Sequence, residues 1–348
     1  MVKETIISFE EALNKSGKEK HLLIGNGFSM AWDVQRFSYR SLFEQADFSK
    51  YSEAKAVFEK LRVHDFEVVI RGLSQAATIT TIYNSCNSAI SETMLRDANG
   101  LKEILVTAIA KGHPERPGDI PPESYLACRK FLRNFKNIYT LNYDLLLYWA
   151  LMQEDLGDLT CNCDDGFRSS EKAPDENYVV WDNAHSANVY FLHGALHLFD
   201  ARTELKKYTW NRTGIALIDQ IREALQGNLF PLFVAEGDSN SKVARINHSG
   251  YLSKAMRSFS SIGKDLFIYG HSLAESDEHI LHAIEKGKIN NVFVSIYGEP
   301  DSERNQRIIE RAKQLQSNRS KRGSQKKLAV HFFEASSADV WGKMGGGR

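Results

Sequence analysis

Apolar and polar positions alternate along this chain in two distinct rhythms. Three short, nearly continuous apolar runs are His21–Ile24 (HLLI), Asn137–Leu141 (NIYTL) and Asp265–Tyr269 (DLFIY). Each is bounded by turn residues and followed by helix-like spacing. A strand covered by helices on both faces is hydrophobic along its length, so these runs predict parallel strands of a doubly wound α/β sheet. Val189–Leu192, Leu229–Val234, Asn291–Ile296 and Ala329–Phe333 are further strand candidates. From Tyr39 to Asn134 the strand rhythm stops. Tyr51–Leu61, Asp65–Ala76 and Leu101–Ala110 instead space their apolar residues close to the helical repeat. Pro114, Pro117, Pro121 and Pro122 mark an extended connection after them. The expected architecture is therefore one Rossmann-like α/β domain over 1–348, with a helical insertion at approximately 45–125. Cys161–Asn188, rich in Asp, Asn and Ser, reads as a surface loop bordering a pocket.

Composition narrows the function classes. Hydrophobic residues make up 42% and charged residues 25%, as in an ordinary globular protein. Lys and Arg total 44, equal to Asp and Glu, so no overall field attracts nucleic acid or an anionic membrane. The local exception is a basic stretch, 316–327, containing Arg319–Lys327 (RSKRGSQKK); it is expected to be a solvated loop before the last strand. Cys86, Cys128, Cys161 and Cys163 form no CxxC pair, which argues against a disulfide framework or a zinc ribbon. The first residues mix charged and apolar positions and do not read as a signal peptide. No run reaches the roughly 18 apolar residues that a membrane crossing needs. A cytoplasmic protein follows as the expectation, with 344–348 disordered.

The first chemical signal follows the first run, at Gly25-Asn26-Gly27-Phe28-Ser29. Glycines let a backbone approach a ligand closely, and a helix N-terminus offers free N–H groups to an anion. A tight strand-to-helix turn would use the same residues, and the motif alone does not choose between the two. Other islands also fall at strand ends: Thr140-Leu141-Asn142-Tyr143-Asp144, His193-Gly194, Pro231 to Gly237 (PLFVAEG), and Gly270-His271-Ser272-Leu273.

In this order the islands resemble the sirtuin superfamily, with its glycine-rich opening, T-x-N-x-D motif, catalytic H-G and later G-x-S. The resemblance spans about residues 21–300. LLIGNGFS, TLNYDLLLYW, FLHGALHLF and PLFVAEG are more closely similar to bacterial sirtuin-like proteins associated with antiphage defence. There the resemblance implies hydrolysis of NAD. Two departures bear on the chemistry. Ala195 to Phe230 contains no cysteine, so the sirtuin zinc module is missing and no metal is expected; Phe37-Ser38-Tyr39-Arg40 stands where sirtuins carry Asp-Phe-Arg. Protein deacylation is correspondingly disfavoured.

The resemblance and side-chain chemistry together assign roles. Cleaving the ribose–nicotinamide bond needs a held ribose, a sheltered leaving group and an activated water. Asn142 is the expected ribose- or water-positioning amide and His193 the base, with a near-neutral pKa. Gly25, Asn26, Gly27, Phe28 and Ser29 are expected to hold the diphosphate of NAD. Gly270 and Ser272 would meet the adenosine ribose and phosphate, and Asp144 would orient ribose or cap a helix. Asp277 is an adenosine contact or a helix-dipole residue; Ser295 and Tyr297 lie toward the adenine side, and His197 is a packing residue held in reserve. Three readings stay open: an NAD glycohydrolase, a non-catalytic sensor of NAD or ADP-ribose-like nucleotides, and an NAD-dependent deacylase or ADP-ribosyltransferase. A glycohydrolase would need gating, by homo-oligomerisation or by a separate sensor protein encoded nearby.

Overall fold

The structure is a computed structural model. It describes residues 4–83, 88–153, 163–169, 178–200, 204–209, 216–226, 230–235, 237–322 and 327–342. In chain order its strands are β1 (Ile6–Ile7), β2 (Lys20–Ile24), β3 (Asn137–Thr140), β4 (Phe167–Arg168), β5 (Tyr178–Trp181) and β6 (Val189–Phe191). They continue with β7 (Leu198–Asp200), β8 (Leu205–Tyr208), β9 (Gly263–Tyr269), β10 (Lys288–Ile296) and β11 (Ala329–Glu334). Seven strands form a parallel sheet in the order β1-β11-β10-β9-β2-β3-β6. From β2 the chain moves outward through β3 and β6, then returns to β9 on the other side of β2. The C-terminal ends of β2 and β9 thus form a topological switch point, where open α/β sheets bind ligands.

Alternating side chains explain the unbroken apolar runs. Leu22 and Ile24 pack into one buried cluster together with Phe267, Phe293 and Phe333. Leu23 joins Leu266, Ile268, Val292 and Val294 in the cluster on the opposite face. Successive strand residues point to opposite faces, so each face needs its own apolar cover.

Between β2 and β3 the described chain is helical, including Tyr39–Gln45, Ser52–Leu61, Phe66–Tyr83 and Ala89–Gly112. The last two pack as an antiparallel pair. At their base Phe43, Phe48, Phe58 and Phe66 form an aromatic cluster, with ring centroids 5.0 Å apart for Phe58 and Phe66.

Several expectations are corrected. Leu229 lies outside the described residues, and 230–235 is no strand of the sheet. A single bridge joins Phe233 to Gly194, while the Leu232 carbonyl accepts from Ala195 N–H and Val234 N–H donates to the His193 carbonyl. The segment is consumed by the turn after β6. A second, antiparallel sheet, β4-β5-β8-β7, takes two of its strands from the stretch read as a surface loop. The basic stretch is not all loop: the helix Glu303–Lys321 runs through its first half. Arg319 there is buried and donates to the carbonyls of Ile284, Glu285 and Ile289, closing the end of the helix Glu278–Lys286. Cys163 is disulfide-bonded, a cross-link that the cysteine spacing did not announce. Residues 344–348, Cys86 and Cys161 lie outside the described residues. Among those described, no helix is long and apolar enough to cross a membrane.

Candidate functional site

A cavity of about 450 Å³ opens at the switch point. Its floor comes from the loops after β2, β3, β6 and β9, through Gly25, Asn26, Gly27, Asn142, Asp144, His193, Gly270 and Ser272. Its roof comes from the helical region, through Phe37, Tyr39, Leu42, Phe66, Leu105 and Ile109. Eight of the ten residues expected to bind or react therefore line one cavity. Phe28 and Ser29 do not.

Phe28 is fully buried against Trp341, with centroids 5.0 Å apart, and its carbonyl accepts from Trp341 Nε1–H at 2.8 Å. It anchors the C-terminal end of the chain instead of a ligand. The glycines serve packing first: a Cβ on Gly27 would lie 2.5 Å from the Gly270 Cα. Gly270 itself has φ 68°, the left-handed region that favours glycine. The loop's N–H groups are mostly spent. Gly25 donates to the Tyr269 carbonyl, Gly27 to that of Gly270, Phe28 to that of Gly25, and Ser29 to that of Asn26. Among the described residues only the Asn26 N–H in this run makes no such bond. Asn26 Nδ2 also ties the loop to the roof, donating to the Phe37 carbonyl at 3.0 Å.

The T-x-N-x-D segment folds on itself. Thr140 Oγ1 accepts from Asn142 N–H at 3.0 Å, and Asp144 Oδ1 accepts from Leu146 N–H at 2.9 Å, capping the helix Leu146–Leu151. Ser29 joins the two halves from behind: its hydroxyl donates to Asp144 Oδ2 at 2.6 Å and accepts from Asn142 Nδ2 at 2.9 Å. Burial pushes the Asp144 carboxyl up, opposed by the Ser29 hydroxyl and the Leu146 N–H. With its amide nitrogen held, Asn142 has its carbonyl oxygen left to accept from a ligand. Ser29 is thus a positioning residue behind the wall, and Asp144 does both the capping and the holding.

His193 follows β6, on a turn that requires Gly194: φ is 81°, and a Cβ there would meet the Leu232 carbonyl oxygen at 1.9 Å. Its Nε2 lies 3.0 Å from His279 Nε2 and 3.9 Å from Asp277 Oδ1. Asp277 is the hub of a buried network. Its Oδ2 accepts from His271 Nε2–H at 3.0 Å, a tautomer fixed by Leu273 N–H donating to His271 Nδ1. Its Oδ1 accepts from Lys242 Nζ at 2.8 Å, and the same ammonium donates to Glu67 Oε2 at 2.7 Å. Tyr143 Oη donates to the Val234 carbonyl at 2.6 Å and lies 3.3 Å from Glu67 Oε1.

This network sets the protonation states. Burial pushes the Glu67 carboxyl up to about 7, although Lys242 pulls it down. Burial also opposes a charged Asp277, yet His271 and Lys242 hold its carboxyl well below the usual range. Lys242 is fully buried and still held protonated, because Glu67 and Asp277 outweigh the burial. His193 departs from the near-neutral expectation: burial, then Lys242, push it well below the ordinary histidine range, so it stands neutral. His279 is pushed down to about 4 for the same reasons, partly opposed by Asp277.

His193, Asp277 and His279 place three possible metal-ligating atoms within 4.8 Å of one another. The Asp277 oxygen nearest His193 is already ion-paired with Lys242, so a divalent ion there would face an adjacent ammonium. As it stands, the donor set reads as an ion-paired hydrogen-bond network.

The other expected residues fall around this core. Gly270 N–H donates to Ser295 Oγ at 2.9 Å, so Ser295 braces the loop from below. Tyr297 is 76% exposed and not on the wall. His197 packs in the core, stacked on Tyr148 at 4.7 Å between ring centroids. Glu67, Lys242, His279 and Arg304 went unnoticed in the sequence, and His271 was noted only as a member of the Gly270–Leu273 island. The spacing of His271, Asp277 and His279 after a strand was an available signal; a fully buried lysine in an otherwise polar helix gave none.

No curated protein matches the chain. A family profile does, described as a domain of unknown function (DUF4917), and its match runs over residues 22–341. With nearly the whole chain covered, including both walls of the cavity, the protein belongs to the DUF4917 family.

Proposed function

We propose that this chain hydrolyses NAD to nicotinamide and ADP-ribose. The observation that carries the reading is the convergence of Asn142 and His193 with Gly25, Asn26, Gly27, Gly270 and Ser272 in one cavity at the sheet's switch point. In this reading the C1′–N bond breaks with its electron pair leaving on the nicotinamide nitrogen, and a water oxygen bonds to C1′. The Asn142 carbonyl oxygen accepts from a ribose hydroxyl or from that water. His193, neutral and facing the cavity, takes the water proton, and Asp277 at 3.9 Å balances the imidazolium as it forms. The acidic pair Glu67 and Asp277 favours the positive charge that develops on the ribose. The sirtuin-like character and the role in antiphage defence are parts of this proposal. So is gating of the activity by self-association or by a separate sensor protein, since ungated NAD loss would harm the host cell.

A second reading, a sensor that binds NAD or ADP-ribose without cleaving it, is favoured by one observation: burial and Lys242 hold His193 well below the pKa of an efficient base at neutral pH. The two readings separate in one experiment. Purified protein is incubated with NAD, alone and with proteins encoded beside its gene, and nicotinamide is followed by chromatography. Hydrolysis predicts release that Asn142→Ala and His193→Ala each lower by about a hundredfold or more. Bound NAD with no release under any condition would leave the sensor reading in its place.

A further inference from the structure

The cavity is poor in positive charge. Asp65, Glu67, Asp144 and Asp277 line it, and among the described lining residues Arg304 is the single lysine or arginine. Lys242 neutralises Glu67 and Asp277 from behind and is not on the wall. A dinucleotide would bring two negative charges on its diphosphate. In a Gly-rich loop of the expected kind, several free N–H groups at a helix N-terminus would meet that charge. Here the loop keeps one N–H, on Asn26, and the helix it opens, Gly27–Trp32, is six residues long. A charged side chain is therefore the stronger source of compensating charge.

Arg304 is placed for this. It is the second residue of the long helix Glu303–Lys321, beyond the C-terminal end of β10 and on the side of β9 away from β2. Its position is fixed from below: Asn305 Nδ2 donates to the carbonyls of Tyr297 and Glu299, pinning the loop between β10 and the helix. The guanidinium itself makes no hydrogen bond or ion pair among the described residues, and the residue is exposed. An arginine without a partner on an otherwise acidic wall is available to a ligand, and its planar fork suits two phosphate oxygens at once.

Resting on the nucleotide reading above, we infer that Arg304 is the phosphate anchor of this cavity and selects ligands carrying a diphosphate over bare nucleosides. In this reading Arg304 holds the diphosphate, and the Glu67–Asp277 pair meets the cationic nicotinamide.

The test is calorimetric binding of ADP-ribose, inorganic pyrophosphate and adenosine to the wild type, Arg304→Gln and Arg304→Lys, with melting curves as a folding control. Arg304 has no partner to lose among the described residues, so the variants should melt with the wild type. Arg304→Gln should weaken ADP-ribose and pyrophosphate by about tenfold or more and leave adenosine unchanged, while Arg304→Lys keeps part of the affinity. Equal ADP-ribose affinity in the wild type and Arg304→Gln overturns the anchor, as does an equal loss for adenosine. A wild type that binds neither ADP-ribose nor pyrophosphate overturns it together with the nucleotide reading. Arg304-dependent ADP-ribose binding without nicotinamide release from NAD keeps the anchor and removes only the hydrolase.

Discussion

Lys242 is a charged side chain with no solvent exposure, held between carboxylates that reach it from distant parts of the chain. Removing one partner of a buried ion pair leaves uncompensated charge and costs about 3–5 kcal/mol. Lys242→Met should therefore lower the free energy of urea unfolding by about that amount at neutral pH. The pH dependence has a defined sign. Without the ammonium, Glu67 stands further above its ordinary value in the folded state, and Asp277 loses one of the groups that hold it down. An acid with a raised folded pKa contributes stability that is full below its unfolded value, 4.5 for Glu67, and is lost as pH rises through the folded value. Glu67 already stands at about 7 with Lys242 present, so the variant's deficit should be largest above that pH and shrink toward pH 5. A deficit that stays constant from pH 5 to 8 would mean the carboxylates are not its source.

Asn142 and His193 stood out through the sirtuin-like order of their motifs, with an amide and an imidazole suited to ribose and water chemistry, and both line the cavity. Ser29 was visible as a loop residue, but its service to Asn142 and Asp144 spans more than a hundred positions, which no local pattern encodes.

Among the elements, the loops after β2 and β9 depend on backbone meeting backbone. Gly27 donates its N–H to the Gly270 carbonyl at 2.8 Å, and its Cα faces the Gly270 Cα with no room for a methyl group. Gly27→Ala should cost about 1–3 kcal/mol through forced separation of the two loops. It should also weaken nucleotide binding, because both loops are cavity wall. Thermal melting and ADP-ribose titration check the two effects, and an alanine variant as stable as the wild type would refute the packing argument. Strands were legible where both faces are covered, since Leu22–Ile24 of β2, Leu266–Tyr269 of β9 and Val292–Val294 of β10 had to be apolar without a break. Strands β4, β7 and β8 were not: they are two to four residues long and carry Arg168, Asp200, Lys206 and Lys207, whereas β5 (YVVW) has strand-forming residues but lay inside the stretch read as a loop. Pairing, not composition, makes strands of β4, β7 and β8.

At the scale of the whole molecule, the helical region closes the cavity that the sheet opens, and its outer end exposes apolar surface. Ile79, Ile82 and Tyr83 are 55%, 74% and 87% exposed on the end of the helix Phe66–Tyr83, three and four residues apart and so on neighbouring faces. The stretch 74–83 (SQAATITTIY) contains no charged residue to discourage contact. The proposed self-association should use this end. Sedimentation at micromolar concentration should detect an oligomer that Ile82→Glu with Tyr83→Glu dissociates; a monomer in both would place any gating elsewhere.

The order of residues was enough to specify the parallel sheet, its helical interruption and the strand ends at which chemistry could gather. Those features are written in short-range patterns: apolar runs, helical spacing, and glycines beside polar residues. Only the tertiary structure decided how the gathered residues act. It turned Phe28 into the core, spent the N–H groups of the glycine loop on neighbouring carbonyls, and brought Glu67 to Lys242 across 175 positions. It also buried His193 beside an ammonium, which sets its protonation state. Charge pairing and desolvation depend on distances between remote segments, and those distances exist only once the sheet and its helical roof have packed together.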